Sequence, residues 1–250
     1  NHRMAPRVGH GLGLIEVPHL MKAIVLAGGL GARLRPLTFA IPKPLVPVGE
    51  KPILEILIGH LAAHGVTDIY LAVGYRAELI ETFFQDGGRF GVNIHYSREE
   101  MRLGTAGPVR LARDQFGISE PVMVMNADII TEINFSDMLK WHQDKGAAIT
   151  VGIRRFDQIV PFGVVETDGD QITAIVERPT HTHQINCGIY TVSPEVIDLI
   201  PPGEEVYMPD FIDKAMGEGH TISGFTFTEK WVSIDDLGDL EKETGKLGQE

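Results

Sequence analysis

Residues 21–48 combine glycines, cations and prolines, and they include no acidic residue. This window reads MKAIVLAGGLGARLRPLTFAIPKPLVPV, and no Asp or Glu occurs from Val17 to Gly49. Across the whole chain, 22 Lys and Arg residues stand against 34 Asp and Glu residues, which gives a formal net charge of −12. The window itself has a charge of +4, from Lys22, Arg33, Arg35 and Lys43. Because the rest of the chain is acidic, this reversal predicts a site for a small anion and not a surface for a polyanion.

The glycines of this window follow an apolar run at 23–27 that predicts a buried strand. The loop reads GGLGAR from Gly28 to Arg33, and its missing Cβ atoms would let backbone N–H groups approach phosphate oxygens. The Walker pattern is absent, and the dinucleotide pattern G-x-G-x-x-G is a near miss because Leu34 takes its last position. Prolines at positions 36, 42, 44 and 47 exclude the long helix of a Rossmann dinucleotide site. We therefore expect an extended loop that carries Arg33 and Lys43 over a phosphate-bearing ligand.

The elements that would position this loop favour an α/β fold. In the first half of the chain, apolar runs that predict strands alternate with amphipathic stretches that predict helices. In the second half short strands dominate, and Asp168-Gly169-Asp170 predicts a hairpin. The expected fold is a Rossmann-like, three-layer α/β/α arrangement with a mixed, mainly parallel central sheet and a small antiparallel elaboration. Ligands are then expected beyond the carboxyl ends of the strands.

The predicted strands are 23–27, 68–73, 92–96, 121–126, 147–154, 163–167, 171–177, 185–192, 221–226 and 230–234. The predicted helices are 52–64, 77–84, 107–116, 135–145, 194–200 and 209–217, with a closing helix from 236.

Length and composition limit the classes of protein to which the chain can belong. With 250 residues and 43% hydrophobic content, it can bury the core of one large domain. Cys187 is the only cysteine, which excludes an intrachain disulfide and fits a reducing compartment. No apolar run approaches the ~18–20 residues of a membrane-spanning helix, and a pI near 5.3 argues against general nucleic-acid binding. We therefore expect a cytoplasmic protein that has neither a membrane nor a nucleic acid as its partner.

The glycine loop and the proline-rich stretch together resemble the signature of a known family. GGxGxRLxPLT at 28–38, followed by PKPLVPV at 42–48, looks like the first motif of the sugar-phosphate nucleotidyltransferases, and most like that of the mannose-1-phosphate guanylyltransferases. Later blocks resemble the family in the same order: LGTAG at 103–107, NAD at 126–128, GVV at 163–165, VERP at 176–179 and NCGIY at 186–190. The likeness extends from residue 21 to about residue 247.

The resemblance implies a reaction and its partners. Members of this family join a sugar 1-phosphate to a nucleoside triphosphate (NTP), and the products are a nucleotide sugar and pyrophosphate. The attacking phosphate oxygen is already a nucleophile, so the obstacle is the repulsion between two anions, which cations and fixed N–H donors would relieve. The resemblance favours GTP with mannose 1-phosphate or a manno-heptose 1-phosphate, with Mg²⁺ as the cofactor. It is compatible with a homo-oligomer.

The resemblance also divides the chain. We expect residues 1–20 to be an extension or an expression remnant, and residues 21–250 to form a single nucleotidyltransferase domain. Residues 21–130 would be its nucleotide-binding half and residues 131–250 its sugar-binding half. The sequence ends without the hexapeptide-repeat β-helix that some relatives append, so we expect no second activity within these residues.

Matching the motifs residue by residue assigns roles to individual side chains. Arg33 would grip the triphosphate and the departing pyrophosphate, Lys43 would lie at the α-phosphate, and Asp128, at the end of a strand, would serve catalysis by holding the metal. The implied nucleotide-binding set is Leu26, Ala27, Gly28, Gly29, Gly31, Arg33, Gly104, Thr105 and Asn126. The implied sugar-phosphate set is Gly163, Glu177, Arg178 and Asn186. Arg178 stands where the family usually has a lysine, so the charge is retained on a longer, forked group.

The second metal carboxylate is the place where this sequence departs from the family pattern. Many relatives read W-x-D-I-G near the end of the domain, whereas this chain has Ser233 at the position of that aspartate. The N-acetylglucosamine-1-phosphate uridylyltransferases place their ligand two residues later, where this chain has Asp235. We therefore expect Asp128 and Asp235 to be the Mg²⁺ ligands. His181 and His183 are expected to be polar loop residues, because two histidines without further metal-ligand spacing do not predict a metal site.

Three alternatives stay open at this stage. The substrates could be those of a UTP-, CTP- or dTTP-dependent enzyme for a glucose-type sugar 1-phosphate. A regulatory paralogue would bind a nucleotide sugar without turnover, an alternative that Ser233 motivates. A dinucleotide-dependent oxidoreductase is suggested by the glycine loop alone and disfavoured by Leu34 and the four prolines.

Overall fold

The computed structural model describes residues 21–247, and the predicted extension at 1–20 lies outside the described residues. The strands are β1 (Met21–Leu26), β2 (Pro47–Val48), β3 (Lys51–Pro52), β4 (Val66–Val73), β5 (Asn93–Arg98), β6 (Val122–Asn126), β7 (Ile129–Thr131), β8 (Ile149–Ile159), β9 (Gly163–Asp168), β10 (Gln171–Glu177), β11 (Thr180–Val192), β12 (Ile222–Thr226) and β13 (Trp231–Ser233). The helices are α1 (Leu37–Ala40), α2 (Ile53–Ala63), α3 (Ala77–Phe84), α4 (Gly107–Phe116), α5 (Phe135–Lys145), α6 (Met208–Gly217) and α7 (Leu237–Leu247). Short 3₁₀ helices occur at Ala32–Leu34, Lys43–Leu45, Gly88–Phe90 and Pro194–Leu199.

Seven strands form the central sheet, in the order β12-β8-β11-β6-β1-β4-β5. β1 is parallel to β4 and β6, β4 is parallel to β5, and β8 is parallel to β12. β11 alone is antiparallel to its two neighbours in this sheet, β6 and β8. The predicted mixed, mainly parallel sheet is confirmed. Leu26 lies opposite Asn126 at the ends of β1 and β6, so the loops that follow these two strands leave the sheet at the same edge.

Both faces of the sheet are buried, which explains the continuous apolar runs of the central strands. In β1, Ala23 and Val25 join one core cluster with α2, α3 and α5, whereas Ile24 joins a second cluster with α4 and α6. Alternate side chains of one strand thus enter opposite layers. This arrangement is the predicted three-layer α/β/α fold. Among residues 21–247, no helix combines the length and the apolar character that crossing a bilayer requires.

A small sheet and the last helix cover the carboxyl end of β6. β13 pairs antiparallel with β7, and Ile130 and Ile234 join a third apolar cluster with residues of the proline-rich stretch. In α7, Glu243 is 1% exposed and forms ion pairs with Lys230, at 3.1 Å, and with Lys246. Because Lys230 directly precedes β13, these ion pairs fix α7 to the strand that leads to Asp235.

A long antiparallel ribbon extends beyond the same edge of the sheet, because Ile189 of β11 pairs with Met125 near the carboxyl end of β6 and the earlier residues of β11 continue past it. Ile159 of β8 pairs with Thr180 of β11, the Val160 N–H donates to the Pro179 carbonyl at 3.0 Å, and β9 and β10 continue the pairing to the turn after Asp168. We call residues 155–184 the ribbon. It contains the predicted hairpin.

The structure corrects several predicted elements. The segment after Gly31 is not extended, because it folds into α1 and two 3₁₀ turns, and prolines are tolerated at the first positions of such turns. His181 and His183 lie in β11 and not in a loop, since that strand begins at Thr180. The predicted helix at 194–200 is a 3₁₀ helix, and the short strand β7 was not predicted.

Replacing Glu243 should reveal how much α7 contributes to stability. Burial opposes the ionisation of this carboxyl, but its ion pairs with Lys246 and Lys230 prevail and lower the pKa of Glu243 below its ordinary value. Glu243→Gln should reduce the free energy of unfolding by about 1–2 kcal/mol at pH 7. Because a lowered pKa stabilises only above the range in which the group titrates, the difference from the wild type should shrink as the pH falls towards 3.

The measurement is urea unfolding at a series of pH values. Glu241→Gln, at an exposed position of the same helix, is the matched control and should leave the unfolding midpoint unchanged. Equal midpoints for the Glu243→Gln variant and the wild type at pH 7 would contradict the anchoring role.

Candidate active site

Two cations and two carboxylates meet beyond the carboxyl ends of β1 and β6. The Nζ atom of Lys43 lies 2.5 Å from Oδ2 of Asp128 and 3.5 Å from Oδ1 of Asp235. The same Oδ1 atom of Asp235 lies 2.9 Å from Nη2 of Arg33. We call Arg33, Lys43, Asp128 and Asp235 the ion cluster. The formal charges of the ion cluster cancel. Two acids of the chain thus neutralise the cations that we expected to bind a small anion.

Backbone pairing places the two carboxylates of the ion cluster beside each other. Asp128 lies between β6 and β7, and Ser233 of β13 pairs with Ile129 of β7. The Ile234 N–H donates to the Asp128 carbonyl at 2.9 Å, which holds the residue after β13 against Asp128. Asp235 is the next residue along the chain. Its carboxylate therefore reaches Lys43, and the structure brings together the two predicted metal ligands.

Gly31 fixes the path of the loop that carries Lys43. Its φ angle is +58°, and a Cβ atom at this position would lie 2.9 Å from Cγ2 of Thr38 and 3.0 Å from Cβ of Lys43. The Thr38 hydroxyl donates to the Gly31 carbonyl at 2.8 Å. Pro42 and Pro44 restrict the backbone on either side of Lys43. Only glycine tolerates a positive φ angle where a Cβ atom would clash. Gly31 therefore allows the loop to bring Lys43 to Asp128.

The other two cations of the acid-free window lie away from the ion cluster. Lys22, near the amino end of β1, forms an ion pair with Glu120. The guanidinium of Arg35 lies 4.9 Å from the ring centroid of Phe39. Two of the four cations in the window therefore form the candidate site.

A cleft of about 280 Å³ opens beside the ion cluster and contains most of the predicted nucleotide-binding residues. Its lining includes Asp128 and, from the predicted set, Leu26, Gly28, Gly29, Gly104, Thr105 and Asn126. Ala27 lines a smaller cavity of about 50 Å³ next to Lys43. Gly31 lines neither cavity. Six of the nine predicted residues thus line this cleft, and their part in nucleotide binding stays a prediction.

Gly104 and Thr105 also have a structural role. Gly104 has a φ of +74°, and a Cβ atom there would clash with the carbonyl of Val206. The Thr105 hydroxyl accepts a hydrogen bond from the Met208 N–H at 2.7 Å, at the start of α6. These contacts fix the part of the cleft wall that Gly104 and Thr105 form.

Glu99 is a residue of the cleft that the sequence analysis missed. It follows β5, and its Oε1 atom occupies the space that a Cβ atom of Gly28 would need. Burial raises the pKa of Glu99 to about 7, and a hydrogen bond with the backbone of Leu103 offsets only part of this effect. The available signal was the pair of acids, Glu99 and Glu100, directly upstream of the block at 103–107.

Three of the predicted sugar-phosphate residues lie on the ribbon and not in the cleft. Gly163 pairs with Glu177 across β9 and β10, and Arg178 follows with a φ of +48°. All three are exposed. Within residues 21–247, the side chains of Glu177 and Arg178 form no hydrogen bond or ion pair, so both are free to bind a ligand.

Asn186, the fourth member of that set, uses its amide inside the protein. Its Nδ2 atom donates to the Tyr190 hydroxyl at 2.8 Å, and its Oδ1 atom accepts from the Gly188 N–H at 2.9 Å. These bonds stabilise the irregular section of β11. A sugar hydroxyl that bound Asn186 would therefore compete with these internal hydrogen bonds.

The donor set of the ion cluster fits a hard divalent cation. The Oδ1 atom of Asp128 is buried and has no hydrogen-bond partner in the described part of the chain. Within residues 21–247, no group of three or more His, Cys, Asp or Glu side chains is arranged to hold a metal. Two carboxylates would therefore share a metal with phosphate oxygens of a substrate, which is an arrangement that Mg²⁺ commonly adopts.

Known proteins share this arrangement of sequence and fold. Residues 22–247 match the family model described as Nucleotidyl transferase. Mannose-1-phosphate guanyltransferase of Schizosaccharomyces pombe is 39% identical over 86% of this chain and 61% of its own length. The Saccharomyces cerevisiae protein of the same name is 42% identical over 72% of this chain and 52% of its own length. HddC from Yersinia pseudotuberculosis, solved in complex with GMP-PN, matches with a TM-score of 0.72 and 25% identity over 91% of this chain and 99% of its own.

The chain spans about half to three fifths of the length of the curated relatives that it matches. The matched region nevertheless includes every residue of the ion cluster and of the cleft. The resemblance seen in the sequence motifs is confirmed, and the chain belongs to the nucleotidyl transferase family.

Proposed function

We propose that this chain transfers a nucleotidyl group from a nucleoside triphosphate to a sugar 1-phosphate, releasing pyrophosphate and a nucleotide sugar. The ion cluster beside the glycine turn is the observation that carries the proposal. It combines two cations that can bind a polyphosphate with two carboxylates that can bind a metal. GTP and mannose 1-phosphate, or a manno-heptose 1-phosphate, are the favoured substrates. The likeness to the guanyltransferases supports this choice.

In the proposed reaction, an oxygen of the sugar phosphate forms a bond to the α-phosphorus of the triphosphate. The bond from that phosphorus to the bridging oxygen of the leaving pyrophosphate breaks. No side chain has to remove a proton, because a sugar phosphate is ionised at neutral pH. Catalysis therefore consists of positioning the two anions and stabilising the charge that grows on the pyrophosphate.

The two cations suit different parts of the triphosphate. The Lys43 side chain is 13% exposed and its backbone is held between two prolines, which suits a fixed contact with the α-phosphate. The Arg33 side chain is 73% exposed, and its guanidinium can bind two oxygens of the leaving pyrophosphate at once. The N–H groups of Gly28 and Gly29 would add further donors at the edge of the cleft.

Asp128 and Asp235 are the residues that would hold Mg²⁺, since both face the same ammonium group and Asp128 retains a buried oxygen without a partner. Bound Mg²⁺ would withdraw charge from the phosphate oxygens of the triphosphate. Binding of a cation by these carboxylates would free Lys43 and Arg33 from their internal partners, so that both could bind the substrate.

Glu99 supports guanine as the base. The edge of guanine presents two adjacent donors, N1–H and N2–H, and an ionised carboxylate can accept from both. Uracil and thymine present a single N3–H donor between two carbonyl acceptors, which a buried carboxylate would repel. Glu99 lines the cleft beside Gly28, where its Oε1 atom occupies the space that a Cβ atom would need.

The ribbon would supply the sugar-phosphate contacts. The Arg178 guanidinium can bind the phosphate of the sugar in a bidentate manner, and the Glu177 carboxylate can accept hydrogen bonds from sugar hydroxyls. Gly163 lies beside Glu177 and leaves room for a sugar ring. The amide of Asn186 already bonds within the protein, so it would contact the sugar only with its remaining hydrogen-bonding capacity. In this proposal residues 21–130 bind the nucleotide and residues 131–250 bind the sugar.

The reaction is tested by incubating the protein and Mg²⁺ with each triphosphate and a panel of sugar 1-phosphates. Pyrophosphate release should be fastest with GTP and a manno-configured sugar 1-phosphate. Lys43→Ala should lower turnover by at least about 100-fold, because a fixed charge at the α-phosphate is lost. Lys51→Ala, on an exposed residue outside the ion cluster, should retain full turnover.

Arg33→Ala is the second variant, because the exposure of Arg33 leaves little packing to lose. It should lower turnover with the melting temperature unchanged. Absence of pyrophosphate release from every pair of substrates would refute the enzyme, and binding of a nucleotide sugar without turnover would favour the regulatory paralogue.

The metal site is tested by Asp128→Asn and Asp235→Asn, compared with Ser233→Ala. Each aspartate variant should raise the Mg²⁺ concentration for half-maximal activity by about 10-fold or more, because one of two carboxylate ligands is lost. Electron paramagnetic resonance of Mn²⁺ provides a second readout that is independent of turnover. The assignment of Asp235 fails if Ser233→Ala weakens Mn²⁺ binding as much as Asp235→Asn does.

Base selection is tested by the pH dependence of KM for GTP. Only ionised Glu99 accepts from both guanine donors, so KM should fall by about 10-fold from pH 6 to pH 8, as expected for titration near 7. Glu99→Gln should raise KM at pH 8 by about 10–100-fold and leave only the titration of GTP itself. Glu100→Gln, at the exposed neighbouring position, should behave as the wild type. An unchanged KM in the Glu99→Gln variant would show that Glu99 does not read the base.

A further inference from the structure

The wall of the cleft includes an exposed aromatic side chain that the sequence analysis assigned to no role. Tyr207 lines the cleft together with Gly104 and Thr105, and it is 42% exposed. Among residues 21–247 its ring packs against no other aromatic ring. Aromatic side chains contribute most when the faces of their rings are covered. Tyr207 therefore offers the cleft a flat apolar face that no other part of the described chain uses.

The backbone on either side of Tyr207 is fixed to the cleft wall. The carbonyl of Val206 accepts a hydrogen bond from the Ala106 N–H at 2.9 Å. The Met208 N–H donates to the Thr105 hydroxyl at 2.7 Å, and Met208 itself is buried. Because both neighbours of Tyr207 are held in this way, few positions are open to its ring.

The local conformation directs the ring away from the core. Tyr207 has a φ of −94° and a ψ of 151°, which is extended backbone, and successive side chains of an extended segment point to opposite sides. Met208 belongs to the second core cluster, and Val206 packs against it. The side chain between them therefore leaves the core and reaches the cleft.

A carboxylate orients the ring at its hydroxyl end. The Tyr207 hydroxyl donates to Oε1 of Glu205 at 2.7 Å, and Nε of Arg102 lies 3.5 Å from the same oxygen. Arg102 also lines the cleft, so this contact connects Tyr207 to a second part of its wall. A ring that is oriented before a ligand arrives loses little further freedom when the ligand binds.

The rest of the cleft lining shows which part of a nucleotide the ring suits. Of the described residues that line the cleft, Tyr207 is the only one with an aromatic ring, and Leu26 and Pro108 are the other large apolar ones. The remaining members are glycines and polar residues, which suit phosphate oxygens, hydroxyls and base edges. A nucleobase also has two flat faces, and aromatic side chains stack on such faces whichever base is present.

We propose that Tyr207 stacks on the base of the bound nucleoside triphosphate. The stack rests on the proposed function and adds a contact that Glu99 does not provide, because a carboxylate reads only the edge of a base. Tyr207 then contributes affinity for every base, and more for a purine, whose two fused rings cover more of the phenol. The choice among bases stays with the groups that read the edge.

The experiment is calorimetric titration of the full 250-residue chain with GTP and Mg²⁺, without a sugar 1-phosphate. Tyr207→Leu should raise the Kd for GTP by about 5–50-fold, which is the effect expected when a stacking ring is removed. Tyr207→Phe retains the ring and loses only an exposed hydrogen bond, so its Kd should stay within about 3-fold of the wild type. The loss in the Tyr207→Leu variant should be smaller with UTP than with GTP.

Two controls separate a stack from a disturbance of the whole site. Inorganic tripolyphosphate with Mg²⁺ has no base, so its Kd should be the same for the Tyr207→Leu variant and the wild type. Phe156→Leu changes an aromatic side chain of β8 that is 49% exposed and does not line the cleft. This matched variant should bind GTP as the wild type does.

The possible results distinguish a failure of the stack from a failure of the proposed function. Equal Kd values for GTP in the Tyr207→Leu variant and the wild type would overturn the stack alone. Equal losses in the Tyr207→Leu and Tyr207→Phe variants, or an equal loss of GTP and tripolyphosphate binding, would also overturn it. Binding of GTP by the wild type without any pyrophosphate release would count against the proposed function alone, whereas a wild type that binds no nucleoside triphosphate would overturn both.

Discussion

The ammonium group of Lys43, held between the carboxylates of Asp128 and Asp235, is the interaction on which the rest of the site depends. It joins three segments that are far apart in sequence: the proline-rich stretch, the end of β6 and the residues after β13. Each segment is fixed separately, by Gly31, by the central sheet and by the pairing of β13 with β7. Because the three segments are held separately, the Lys43 ammonium group meets both carboxylates only when all three segments are correctly placed.

The same interaction would let an acidic chain keep the proposed site for polyphosphate. Cations without partners would repel one another and would bind any small anion, whereas cations paired with carboxylates are neutral as a group. A ligand that brings both a metal and phosphate groups can satisfy the carboxylates and the cations together. A bare anion would have to displace the carboxylates without compensating them. Under the proposed function, this difference would give the ion cluster selectivity for a metal-bound triphosphate.

The sequence predicted elements with a periodic apolar pattern or a clear turn signal better than elements with neither. The buried strand β7 was therefore missed, whereas the exposed hairpin of β9 and β10 was predicted. The predicted first and last residues of α3, α4 and α5, which carry apolar stripes, agree with the observed ones. The outer parts of β8 and β11 were missed because a ribbon that is exposed on both faces needs no apolar alternation. The position of Asp235 beside Asp128 depends on the register of β13 against β7, which no local pattern encodes. The choice of Asp235 over position 233 therefore rested on likeness to relatives. The structure places Asp235 in the ion cluster, and its role as a metal ligand stays a prediction.

Glu99 shows why a cleft residue can be invisible in a sequence. Glu99 and Glu100 are identical in type and adjacent, yet only Glu99 turns into the cleft, where burial shifts its pKa towards neutrality. The space that it occupies exists because residue 28 is a glycine. Sequence reasoning assigned that glycine to phosphate approach alone. In the structure the missing side chain also leaves room for a carboxylate, because Oε1 of Glu99 occupies the space that a Cβ atom would need. A larger residue at position 28 would thus hinder the proposed approach of phosphate and would also displace the Glu99 carboxylate, although only the first effect follows from the motif.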